Sequence, residues 1–171
     1  MILLISTCEN ELSIEEFVKP IQRIINSKTK IVDYSRLKES DLQNASKVII
    51  CGTALKDFKY LEGDWSWIKT FSKPLLGICA GMQVIAQEFN GKLIEKKSIG
   101  MKSIKLDEKL YDVSELQAYE LHNLSVASVK GFKILAQTKD YIQIMIKDNF
   151  MGIIFHPEVR NQWVIEGFCK L

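Results

Sequence analysis

An α/β fold with a mostly parallel sheet and helices on both faces is predicted by two observations. Short runs that are apolar at nearly every position recur through the first half of the chain: Ile2-Leu3-Leu4-Ile5, Val48-Ile49-Ile50 and Leu75-Leu76-Gly77-Ile78. Between and after them lie segments whose apolar residues follow helical spacing. A strand that is apolar on both sides needs both faces covered, and alternation of such strands with helices is how a parallel sheet is wound.

The elements follow in order. Residues 2 to 6 are expected as the first strand. Ile14, Phe17, Val18, Ile21, Ile24 and Ile25 form a helical stripe ahead of a short strand at Lys30 to Tyr34. Val48-Ile49-Ile50 is the next buried strand, ending at Cys51-Gly52-Thr53, and Leu75 to Ile78 is the fourth. Met82, Val84, Ile85, Ala86 and Phe89 then recur with helical spacing as far as Gly91, a residue suited to ending a helix. From Lys102 to Phe155 the chain changes character, and alternations such as Ile142-Gln143-Ile144-Met145-Ile146 predict further strands and turns. Gln162 to Leu171 is expected to close the fold as a helix. With no repeat, low-complexity tract or linker, one domain over residues 1–171 is expected, long enough to bury a substantial core.

Charge and composition narrow the function. The net charge is +2, with acidic and basic residues mixed along the chain, so no nucleic-acid partner is expected. The run Ile2 to Ile5 is too short for a signal peptide, and no stretch approaches the ~20 apolar residues of a membrane span. A cytoplasmic protein without membrane contact is expected. The four cysteines, Cys8, Cys51, Cys79 and Cys169, show none of the Cys-x-x-Cys spacings of metal or redox sites, so no metal or cofactor is expected. Cys8, Cys51 and Cys169 read as small apolar residues in or near the core.

Cys79 reads differently. It stands between a strand and a helix, flanked two residues either side by Gly77 and Gly81, where any Cβ would collide with the neighbouring backbone. Such a turn pushes its apical side chain outward, and the start of the following helix aims free N–H groups at it. Near the C-terminus Phe155-His156-Pro157-Glu158 offers a base and its orienting group. In an extended segment residues two apart point the same way, so Glu158 is expected beside His156, fixing its tautomer.

These residues resemble the class I glutamine amidotransferases, in which a Gly-x-Cys-x-Gly-x-Gln elbow is followed by His-Pro-Glu. Tyr119-Glu120-Leu121-His122-Asn123-Leu124-Ser125-Val126, followed by Gly131-Phe132 and Ala136, is similar to a further family segment, and with Met82 the likeness is greatest to the glutaminase part of GMP synthetases. The resemblance implies a flavodoxin-like fold and hydrolysis of L-glutamine. Cys79 would attack the carboxamide carbon to form a thioester, while His156 takes the thiol proton and delivers it to the leaving ammonia. It further implies an oxyanion hole from the backbone N–H groups of Gly52 and Ala80, a substrate contact from the Gln83 side chain, and backbone contacts from Asn123 and Leu124 to the substrate's α-amino and carboxylate groups. The family's Gly-Gly-Pro turn stands here as Cys51-Gly52-Thr53, and Leu121 and Asn123 replace a serine and a glycine.

No phosphate-binding Gly-x-x-x-x-Gly-Lys-Ser/Thr loop is present, so the acceptor chemistry is assigned to a separate ATP-dependent synthetase, in the first place that of a GMP synthetase. Synthetases of histidine, anthranilate or carbamoyl phosphate synthesis are other partners. The alternative readings are a free-standing γ-glutamyl hydrolase and a non-catalytic binding subunit. His122 is either a substrate-loop or interface residue or a hydrogen-bonded structural histidine, and Trp65 and Trp67 are packing aromatics unless exposed at a partner surface.

Overall fold

The computed structural model describes residues 1–171. Five parallel strands occupy one side of a seven-stranded sheet: β1 (Ile2–Ser6), β2 (Thr29–Asp33), β3 (Lys47–Ile50), β4 (Leu75–Ile78) and β9 (Phe150–Ile153), in spatial order β2-β1-β3-β4-β9. Two antiparallel strands, β8 (Ile142–Lys147) and β7 (Lys133–Gln137), complete it beyond β9. Strand alternation explains the continuous apolar runs. Leu3 and Ile5 of β1 pack with Val48 and Ile50 into one layer, while Ile2 and Leu4 join Ile49 and Leu76 in the other. All are buried. Each such side chain contributes about 1.5–3 kcal/mol on leaving water.

The helices divide between the two faces. α1 (Glu11–Phe17), α2 (Lys19–Ile24) and α5 (Gln162–Lys170) cover one, and α3 (Glu39–Asn44) and α4 (Ala80–Glu88) cover the other with the segment carrying Tyr60, Trp65 and Ile68. The stripe from Ile14 to Ile25 therefore forms two short helices rather than one. Pro20 lacks the N–H that a continuous helix requires and its ring crowds the preceding turn, so the chain restarts at Val18 with Pro20 in the first turn of α2. The second strand stops at Asp33 instead of reaching Tyr34, because the Asp33 carboxylate accepts from both the N–H and the hydroxyl of Ser35 and starts a tight turn.

A long hairpin, β5 (Lys92–Leu110) and β6 (Val113–Ser128), pairs with itself rather than with the main sheet. Its tip, Tyr111 and Asp112, has positive φ at both residues (48° and 69°), the conformation that matches the twist of two antiparallel strands. Leu93 and Val126 pack on the α4 side, whereas Ile104, Leu106, Leu110 and Leu116 pack on the α5 side. The hairpin thus wraps from one layer to the other. This strand structure begins at Lys92, ten residues before the change of character at Lys102. Glu95-Lys96-Lys97 and the register shift between Glu95 and Ser98 erase the alternation there. No helix is long and apolar enough to cross a membrane.

Chain order reverses between β1 and β3, since β2 lies on one side of β1 and β3 on the other. In open α/β sheets the carboxyl ends of strands around such a reversal form a crevice. Those ends lead here into Thr7, Gly52, Cys79 and, two residues past β9, Phe155-His156.

Candidate active site

Strand β4 runs directly into α4 through Cys79, which holds φ 50° and ψ −102°. A side chain with positive φ costs on the order of 1–3 kcal/mol and persists only where its surroundings impose it. Here they do. The Cys79 N–H donates to the Ile153 carbonyl (2.8 Å), and a Cβ on Gly81 would lie 2.2 Å from the Ile50 carbonyl oxygen, so the elbow presses backbone against backbone. Cys79 itself is 4% exposed, less outward than its apical position predicts. β6 covers it, and its thiol donates to the Leu121 carbonyl (3.6 Å).

His156 is buried against Phe17, ring centroids 5.3 Å apart, and its N–H donates to the Tyr119 carbonyl (2.9 Å). Its Nδ1 lies 2.8 Å from Glu158 Oε1, and its Nε2 lies 3.4 Å from the same Leu121 carbonyl that meets Cys79. The pairing of His156 with Glu158 was expected from an extended segment. A turn makes it instead: the Val159 N–H donates back to the His156 carbonyl (3.2 Å), and Pro157 supplies the fixed φ that the second position of such a turn favours. Burial opposes charge on His156, but the Glu158 carboxylate and Cys79 beside it prevail, and its pKa is raised well above the usual histidine value. Glu158 Oε2 is buried without a hydrogen-bond partner.

Gly52 closes the other side. A Cβ there would lie 2.6 Å from His156 Cε1 and 3.3 Å from Cys79 Cβ, so the imidazole and the elbow both approach a bare backbone. The turn keeps its place without the Gly-Gly-Pro sequence because Thr7 Oγ1 donates to the Cys51 carbonyl (3.0 Å) and the Cys8 thiol to that of Gly52 (3.8 Å). The Gly52 N–H donates to no group of the protein. Ala80, first residue of α4, presents one of the N–H groups a helix leaves without an internal acceptor. Gly52→Ala is expected to displace the imidazole and cut turnover about 100-fold, the scale of a 1 Å misplacement. Kinetics beside a thermal melt would show it, and wild-type turnover in the alanine variant would show that the close approach is not needed.

Gln83 is buried on α4, not on a helix surface; its Nε2 donates to the Leu124 carbonyl (2.9 Å) and its Oε1 accepts from the Tyr60 hydroxyl. Asn123 Nδ2 donates to the Leu55 carbonyl (2.8 Å). Together with Cys79 and Ala80 these groups line a cavity of only about 10 Å³. That is room for about one water molecule.

His122 lines the same cavity and is also held by contacts within the fold. Its Nδ1 lies 3.1 Å from the Ser125 hydroxyl, its Nε2 lies 3.4 Å from Glu120 Oε2, and its ring meets that of Tyr141 edge-on. Burial would raise the Glu120 pKa, but His122, Gln143 (2.8 Å) and Tyr141 (2.7 Å) reverse this and hold it at about 2. Sequence reading missed this carboxylate, which ties β6 to β8 beneath the site; an acidic residue amid apolar alternation was the only signal. Trp65 is buried and Trp67 half-buried, both in the α4-side layer.

Comparison with known proteins bears on this arrangement. The model of the family "Glutamine amidotransferase class-I" matches residues 7–163. The chain belongs to the class I glutamine amidotransferase family. Within that family it is 32% identical over 157 residues to a GMP synthase (glutamine-hydrolysing) of Wigglesworthia glossinidia brevipalpis, covering 77% of this chain and 29% of the relative. It is 31% identical over 119 residues to a glutamine-hydrolysing GMP synthase subunit of Sulfolobus acidocaldarius, covering 61% of this chain and 63% of that protein. The chain therefore spans less than a third of the length of the first of these. Among solved class I amidotransferase folds, a candidate GMP synthase subunit from Thermoplasma acidophilum superposes with TM-score 0.81 at 21% identity over 99% of this chain and 93% of that one. A glutamine amidotransferase from Thermotoga maritima gives 0.73 at 18%, covering 99% and 83%. The amidotransferase fold is common to all three.

Proposed function

We propose that this chain is a glutaminase domain that hydrolyses L-glutamine to glutamate and ammonia through Cys79, His156 and Glu158, and that it passes the ammonia to a synthetase on another chain in the cytoplasm. The observation that carries the reading is the convergence of a positive-φ cysteine with a buried histidine–glutamate pair at adjacent strand ends.

The chemistry follows from those contacts. His156, its charge favoured by Glu158, accepts the thiol proton as Cys79 attacks the carboxamide carbon. It returns that proton to the departing nitrogen, and water then cleaves the thioester. The Gly52 N–H, which has no acceptor in the protein, and the Ala80 N–H at the start of α4 would be the donors to the oxyanion. Gln83, Asn123 and Leu124 form the substrate wall. The relatives named as subunits of a GMP synthase support a synthetase on a separate chain, and GMP synthase is the first candidate.

A site with room for about one water does not admit glutamine as it stands. The isolated chain is therefore expected to be a slow glutaminase, accelerated about 100-fold or more when the synthetase and its nucleotide substrates are added, the scale of bringing misplaced reacting groups into position. Ammonia release measured with and without each candidate synthetase tests this. Full activity alone, unchanged by every candidate, would contradict the partnership and favour a free-standing γ-glutamyl hydrolase.

A further inference from the structure

Two walls meet over Cys79: the loop Thr53 to Phe58 on one side and β6 from Leu121 to Leu124 on the other. One hydrogen bond crosses between them, from Asn123 Nδ2 to the Leu55 carbonyl (2.8 Å). No lysine or arginine lines the cavity, so the α-carboxylate of an amino acid entering it must be met by neutral N–H donors. Most lining donors are already held by groups of the site itself. The Thr53 hydroxyl donates to Asp57 (2.6 Å), the Tyr60 hydroxyl to Gln83, and Gln83 Nε2 to the Leu124 carbonyl. Asn123 is different because its partner sits on the wall that must move if anything larger than a water is to enter.

We propose that the Asn123 side-chain amide is a specificity-determining group that exchanges partners, holding the Leu55 carbonyl when the pocket is empty and the α-carboxylate of the substrate when it is filled. This rests on the glutaminase reading and assigns a role to the side chain, beyond backbone contacts at the same position. Exchange of a neutral carbonyl for a carboxylate strengthens the bond, since a charged acceptor binds an N–H more tightly. Opening the latch is then coupled to recognising an amino acid. Asp57, the one anionic side chain in the lining, disfavours a carboxylate elsewhere in the pocket.

Two electrophiles separate this role from a merely structural one. Iodoacetamide carries no carboxylate, whereas a diazoketone analogue of glutamine carries the whole α-amino acid. In this chain Asn123→Ala is expected to speed Cys79 alkylation by iodoacetamide about 5-fold, the factor set by one ordinary hydrogen bond, and to slow inactivation by the analogue about 10-fold or more. Asn123→Asp, nearly isosteric, should move both rates the same way as the alanine change, with the larger loss for the analogue because it adds like-charge repulsion. Rates that rise together or fall together in both variants, or do not change, would overturn the proposal. Failure of glutamine itself to protect wild-type Cys79 from iodoacetamide, with each candidate synthetase and its nucleotide substrates present, would instead overturn the glutaminase reading on which it stands.

Discussion

Cys79→Ala is expected to lower glutamine hydrolysis by about 10⁴- to 10⁶-fold, the range seen when a nucleophile is removed from a cooperating triad. Nothing else in the pocket replaces it. Cys8 and Cys51 are buried and burial pushes both thiols up, while Cys169 lies on α5. The fold should survive, because Cys79 bridges two elements held by their own layers and alanine keeps the Cβ the elbow already accommodates. Cys79→Ser tests chemistry rather than packing, since it leaves an oxygen where the thiol was. Steady-state ammonia release, with circular dichroism as a check on folding, decides the matter. Residual activity within tenfold of wild type would mean that the nucleophile lies elsewhere.

His156→Ala is expected to approach the same loss, since in the proposed mechanism one imidazole serves both proton transfers. Glu158→Gln should cost less, about 10²- to 10⁴-fold, because it keeps the shape and removes only the charge that helps raise the His156 pKa and the control of its tautomer. The double variant Cys79→Ala/His156→Ala should be little worse than either single change, as expected of groups that act as one unit. Additive losses in the double variant would separate the two residues. Near-native turnover in His156→Ala would pass the role of base to His122, the only other histidine, although its ring is engaged with Ser125 and Tyr141.

Much of the fold was legible because β1, β3 and β4 are buried on both faces and therefore read as unbroken apolar runs. The elbow was legible for a related reason: Gly77 and Gly81 stand where backbone meets backbone, and only glycine fits. The neighbours of Cys79 were less so. Sequence paired His156 with Glu158 but through an extended segment, whereas a proline turn makes the contact. The β5–β6 hairpin was hidden from Lys92 to Met101 because an exposed strand can carry Lys96 and Lys97 without alternation. The Leu121 carbonyl over Cys79, the Glu120 network and the Asn123–Leu55 latch depend on how β6 lies against β8 and the loop after β3. Local pattern does not encode that apposition; packing of the whole hairpin sets it.

The central claim is that glutamine is cleaved through a covalent bond to Cys79. Acid quenching during turnover, with the candidate synthetase present, followed by mass spectrometry of the digested chain tests it most directly. A γ-glutamyl thioester on the peptide carrying Cys79, absent from Cys79→Ala, is the predicted result; ammonia release with no adduct on that peptide, or with the adduct on Cys8, Cys51 or Cys169, would contradict it.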